Sequence, residues 1–140
     1  MLDSHPIEPG DPEAGGLAEG ERRMLAAHAR IVRRRPALIR RICRAYLRQI
    51  LDTGPATIDP VRDLIILPPG ADPRCFGAAV RLLAEEHLIV SIGRQKSNRP
   101  EAHGRKIDIW SVTDRAAALD WLTSHPELPD EPEQLLFDDL

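Results

Sequence analysis

Thirteen consecutive positions, 94–106, hold Arg94, Lys96, Arg99, Arg105 and Lys106, with His103 among them and Glu101 as the single acid. Five fixed positive charges in so short a stretch, interleaved with Gln95, Ser97 and Asn98, suit contact with phosphates or entry into a minor groove. Pro100 and Gly104 punctuate the stretch as a shaped turn, which makes Arg99, His103 and Arg105 the first candidates. The bland alternative is a solvated tip whose charges only keep it in water. A second basic set lies between residues 22 and 48, where ten Arg and no acid occur. Ordinary solvated helices carry acid–base pairs at i,i+4. This stretch lacks the acidic half, so Arg30, Arg33, Arg34, Arg40, Arg41, Arg44 and Arg48 need partners elsewhere: a phosphate backbone, the acidic tails of the same chain, or a second subunit.

Catalytic chemistry has no comparable support. Paired carboxylates, a Ser/His/Asp set, a Gly-rich phosphate loop and metal-ligand spacing do not stand out. Glu101 and His103 are two positions apart without a third ligand, and His5, His28, His87 and His125 are scattered. Lys106 and Asp108 share one strand face without a partner acid at a recognisable interval. Cys43 and Cys75 lack CxxC or His spacing and sit among apolar helical neighbours, so they read as reduced core residues rather than a zinc site or a disulfide. A non-enzymatic protein is expected, with no catalytic residue, metal or cofactor.

The 140 residues leave room for one ordinary domain plus tails. Aromatic residues make up only 4%, so the core must be built from Leu, Ile, Val and Ala, which favours helices. A pI near 5.9 argues against a uniformly basic nucleic-acid binder. The charges are segregated instead. Residues 1–21 carry six acids and no Lys or Arg, 49–119 are balanced at nine of each sign, and 120–140 carry seven acids and no Lys or Arg. Acidic ends that screen a basic centre explain this pattern, and chance composition is the alternative. No apolar run reaches the ~18 residues of a membrane span, and the N-terminus lacks a signal peptide's charged and apolar regions. A cytoplasmic protein without membrane contact is expected.

Residues 1–15 are acidic and rich in Pro and Gly, a composition that predicts a disordered arm. Leu17, Met24, Leu25, His28, Ile31 and Val32 recur at helical spacing, which predicts a basic amphipathic helix over 16–36 whose 17–32 stripe can join two copies into a homodimer. Pro36 ends or kinks it. A second helix is predicted over Ala37–Leu51, stopped by Gly54. Asp59-Pro60 and Asp72-Pro73 each place Asp as a cap and Pro in a first turn, which predicts helices over Pro60–Ile66 and Pro73–Glu86. Leu88–Gly93 and Ile107–Val112 read as strands around a long polar tip, and Thr113 caps a last helix over Asp114–Ser124. The tail 126–140 is acidic with an apolar end.

Short helix, turn and longer helix is the helix-turn-helix plan. The run Leu82-Leu83-Ala84-Glu85-Glu86-His87-Leu88-Ile89, followed by the basic tip and Trp110-Ser111-Val112-Thr113, resembles the pattern of MarR-like and related winged-helix regulators over residues 37–124. The resemblance implies an α+β winged helix-turn-helix spanning 37–125, with an N-terminal helical extension and disordered acidic tails. It implies double-stranded DNA as partner, in a bacterial regulatory or DNA-processing role. The wing would contact it through Arg94, Lys96, Arg99, His103, Arg105 and Lys106, the recognition helix through Arg74 and Arg81, and the preceding helix through Arg41, Arg44 and Arg48. Two departures matter. His87 stands where the family usually has Gly and can take positive φ only at some energetic expense. The recognition helix is weakly basic and lacks Asn or Gln for base reading, which suits the alternative of a protein-interaction module. The tail residues Gln134, Leu135, Leu136 and Phe137 resemble the Gln-Leu-x-Leu-Phe peptides by which bacterial replication and repair proteins dock on the sliding clamp, one residue short. They imply a protein partner there, or else a tail that returns to its own domain.

Overall fold

The computed structural model describes residues 12–130, with side chains from residue 18 onward. Gln134, Leu135, Leu136 and Phe137, and the arm up to residue 11, lie outside the described residues. Among them the chain is α+β, ordered α1 (Pro12–Arg34), α2 (Pro36–Thr53), α3 (Asp59–Leu64), α4 (Cys75–Glu85), β1 (Ile89–Lys96), a 3-10 turn (Pro100–Ala102), β2 (Lys106–Val112) and α5 (Arg115–Ser124). None of the described helices is long and apolar enough to cross a membrane.

Helix α2 is the centre of the molecule because its apolar stripe is the widest. Leu38, Ile42, Cys43, Tyr46, Leu47 and Ile50 are all buried, against Cys75, Phe76, Ala79 and Leu83 of α4, Val61 of α3 and Trp121 of α5. Pro36 divides α1 from α2: Arg35 leaves helical geometry at φ −130°, and Pro36 opens the next helix where its missing N–H loses no bond. Gly54, at φ +90°, closes α2 through its N–H to the Ile50 carbonyl. Both cysteines are free and buried, and burial pushes their thiols up to about 12 at Cys43 and about 11 at Cys75, so neither is a nucleophile at neutral pH.

Several boundaries differ from the sequence expectation. Helix α1 begins at Pro12, inside the segment whose composition predicted a disordered arm. The 17–32 stripe expected to serve a dimer is in part used internally: His28 and Ile31 are buried in the chain's own core, where α1 packs on α4 and α2, while Met24 is left 43% exposed. Asp59 does not cap α3. Its carboxylate accepts the Ser97 hydroxyl at 2.7 Å and so ties the hairpin turn to that helix. Asp72 does accept the Arg74 N–H at 2.9 Å, although regular α-helix starts only at Cys75. Asp114, rather than Thr113, caps α5 by accepting the Ala116 N–H at 3.0 Å. The Thr113 hydroxyl donates instead to the His87 carbonyl at 2.6 Å.

The hairpin is longer and its tip shorter than the apolar pattern suggested. Strands β1 and β2 pair antiparallel from Ile89 opposite Val112 to Lys96 opposite Lys106, so Arg94, Lys96 and Lys106 belong to strands. Polar residues can continue a ladder because backbone bonds carry it once the register is set. Ile92 is the extra residue of a bulge between Ser91 and Gly93, and its side chain is 58% exposed. Ala56 forms a two-bond bridge with Trp110, and the Tyr46 hydroxyl donates to the Ala56 carbonyl at 2.7 Å. The buried α2 thereby holds the root of the hairpin.

The end of α4 realises the geometry that His87 made expensive. His87 sits at φ +60°, its N–H bonds to the Ala84 carbonyl, and the Leu88 N–H reaches back to the Leu83 carbonyl at 3.0 Å. This pair of bonds is the Schellman closure, normally made by glycine. A non-glycine residue there is strained by about 1–2 kcal/mol, and glycine returns about 0.5–1 kcal/mol of that through the freedom of the unfolded chain. His87→Gly is therefore expected to stabilise the fold by roughly 0.5–1 kcal/mol and raise Tm by about 2–4 °C. A calorimetric scan in which Tm falls would show that the His87 side chain contributes contacts exceeding the strain.

Candidate functional site

The basic residues separate into two groups that the fold keeps apart. Helix α2 turns Arg40, Arg41 and Arg44 toward the C-terminal end of α5. Arg40 donates to the Pro126 carbonyl at 2.7 Å, Arg41 pairs with Asp130 at 3.0 Å, and Arg44 donates to the carbonyls of Leu122 and His125, both at 2.7 Å. The last carbonyls of a helix have no internal partner, so an arginine beside them acts as a C-terminal cap. Arg44, expected to contact DNA, is committed to that cap, and Arg41 to a carboxylate. Arg48 stays exposed in a shallow depression between α2 and α5, lined also by Arg44 and Arg115, away from the hairpin.

The second group surrounds the hairpin. Two of its arginines are matched by acids of the same hairpin: Arg94 pairs with Asp108 at 3.4 Å and Arg99 with Glu101 at 2.6 Å. The Arg99 guanidinium holds the Glu101 carboxyl below its ordinary range. Lys96, Arg105 and Lys106 are exposed and have no carboxylate at ion-pair distance among the described residues. Lys96 and Lys106 stand directly opposite one another in the register. Like charges at opposed positions are unfavourable by a few tenths to about 1 kcal/mol, a repulsion that an anion above them removes. His103 lies in the turn at φ +51°, with Gly104 at φ +75° after it, so the chain reverses tightly and presents Arg105 just before the start of β2.

Between the hairpin and α4 runs a groove of about 580 Å³, with Gly77, Val80, Arg81 and Ala84 on one wall and Lys106, Asp108 and Trp110 on the other. Val80 is half-buried, packs against the core and lines this groove. Arg74 is exposed and bound to Asp72 at 2.7 Å, outside it. Arg81 enters the wall from α4, where its Nε donates to Nδ1 of His28 on α1 at 3.2 Å.

His28 is therefore neutral by construction: it accepts from a guanidinium. Its pKa is lowered from the usual 6.5, first by burial and then by the charges of Arg81 and Arg74, against an opposing pull from Asp72 and Glu85. A folded pKa below the unfolded one means that the unfolded chain binds more protons in the interval between them. Stability is thus fully present above pH 6.5 and declines as pH falls toward the lowered folded value, then levels off. His28→Gln keeps an acceptor for Arg81 and does not titrate, so its urea midpoint is expected to lose this pH-dependent step. An equally steep decline in the glutamine variant would assign the step to other groups.

Arg62 escaped the sequence reading because it is the lone basic residue of a six-residue helix. It nevertheless borders the groove, the cleft between α3 and the turn, and the depression beside Asn98. Its position depends on Phe76, fourteen residues later, whose ring lies 4.9 Å from its Cζ. The resulting surface has a groove of mixed apolar and charged lining that includes Arg62, and a rim of cations at Lys96, Arg105 and Lys106 with no carboxylate at ion-pair distance among the described residues. Positive charge gathered on such a rim attracts anions. No family model matches the chain, and neither a curated protein nor a solved structure matches it.

Proposed function

We propose that the chain is a non-catalytic DNA-binding protein of winged-helix type, in which α3 and α4 form the helix-turn-helix, β1 and β2 the wing, and Ala56 a rudimentary third strand. The observation that carries this reading is the pair Lys96 and Lys106, held face to face by the ladder with no carboxylate at ion-pair distance of either among the described residues. A fold gains nothing from that arrangement, whereas a phosphate backbone following the groove between α4 and the hairpin does. Arg105 extends the same rim, and Arg94 and Arg99 remain at the surface beside their carboxylates. The α2 arginines belong to the scaffold in this reading, so contact is concentrated on one side of the molecule.

Duplex DNA affinity measured across a salt series tests the proposal. Binding whose logarithm falls linearly with the logarithm of salt concentration is expected, with a slope near −0.9 for each phosphate neutralised. Absence of binding at low salt would overturn it. A second reading, a protein-binding module, draws on the end of α3 and the loop after it, where Leu64 is 72% and Ile66 89% exposed. It predicts no salt-dependent duplex binding and a loss of partner association on Ile66→Ser.

A further inference from the structure

The cleft between α3 and the 97–105 turn holds a cation, Arg62, with no carboxylate at ion-pair distance among the described residues. Arg62 is half-buried, and its guanidinium lies over the face of Phe76, which fixes its plane and strips part of its hydration. Among the described residues its side chain has neither a hydrogen-bonded acceptor nor a carboxylate at ion-pair distance. Two acids line the same cleft: Asp59 accepts the Ser97 hydroxyl and keeps its negative charge, and Glu101 is paired with Arg99. Burial and then the charge of Arg99 hold the Arg62 pKa below the usual arginine value; Asp59 opposes this and Arg105 adds to it. The cleft measures about 320 Å³ and is lined by Arg62, Arg99, His103 and Arg105 as well as the two acids. At about 30 Å³ per water, that is room for a tetrahedral oxyanion and several waters.

We propose that this cleft is a phosphoryl-binding site, with Arg62 as its central contact and Arg99 and Arg105 at its mouth. The planar fork of arginine matches two oxygens of one phosphoryl group, which favours this class of anion over chloride. The inference rests on the proposed function insofar as the phosphoryl group is one of the DNA backbone. A free phosphate offers the same chemistry, and the two sources are separable by experiment.

Titrating the full chain with inorganic phosphate, against sodium chloride at matched ionic strength, and following the backbone amides of Ser97–Arg105 by NMR reads the site directly. A saturable shift with phosphate and not with chloride is expected. Arg62→Gln should weaken phosphate about tenfold and reduce the duplex salt slope by about 0.9. Arg62→Lys, which keeps the charge and loses the fork, should fall between, and its amide spectrum away from the cleft reports whether the fold is intact. Steep duplex binding with no phosphate-specific shift in the wild type, and the same slope in Arg62→Gln, would overturn the site while leaving DNA binding in place. A phosphate shift that depends on Arg62 without duplex binding at low salt would keep the site, assign it to free phosphate, and defeat the DNA reading.

Discussion

Trp121→Ala is expected to remove about 3–5 kcal/mol of folding stability and to lower Tm by roughly 10 °C or more. Trp121 is only 6% exposed and fills the seam where α5 closes over α2 and α4. Its indole N–H donates to Glu86 at 3.1 Å, at the last turn of α4, and its ring stacks on His125 at 4.3 Å and 8°. Truncation leaves a void, strips a donor from Glu86, and loosens the helix end whose carbonyls Arg44 caps. A domain of this size holds ~5–15 kcal/mol in all, so a large part of the total is at stake. Trp121→Phe separates the contributions: it keeps most of the apolar area, loses the Glu86 bond, and is expected to be destabilised by about 1–2 kcal/mol. A denaturant series showing less than about 1 kcal/mol for Trp121→Ala would mean that α5 is not docked as described.

Local signals carried much of this architecture. The apolar stripe of α2, Pro36 between the first two helices and Gly54 after the second are punctuation that elementary sterics makes readable. The two strands were legible as apolar runs, but their extent was not, because Arg94, Gln95, Lys96 and Lys106 join the ladder through backbone bonds that side-chain pattern does not report. Capping was readable where the competition is local, as at Asp72. It was misjudged where a distant group takes the carboxylate, as Ser97 takes Asp59. The same limit governs the candidate site. Charge density marked the hairpin and the 22–48 helices as basic features, yet it could not tell that Arg94 and Arg99 are matched by Asp108 and Glu101 across or within the turn. Nor could it show that Arg41 and Arg44 face α5, or that Phe76 orients Arg62, since each depends on contacts far apart in the chain.

Removing the three unmatched cations together, as Lys96→Ala, Arg105→Ala and Lys106→Ala, should reduce the salt slope of duplex binding by about 2.7, at ~0.9 per phosphate contact. A fourfold rise in salt, from about 50 to about 200 mM, would then weaken the wild type about 40-fold more than it weakens the triple variant. Stability should move the other way. Lys96 and Lys106 repel across the ladder and neither has a carboxylate at ion-pair distance among the described residues, so their removal leaves Tm unchanged or slightly higher. This opposition of effects distinguishes an interface from a scaffold. Cations kept for the fold, like Arg44, are expected to lower Tm when removed and to leave the slope alone, because their donors serve carbonyls of α5. If the triple variant binds DNA with the wild-type slope, the hairpin is not where the backbone lies, and the groove between it and α4 loses its assignment as the binding surface.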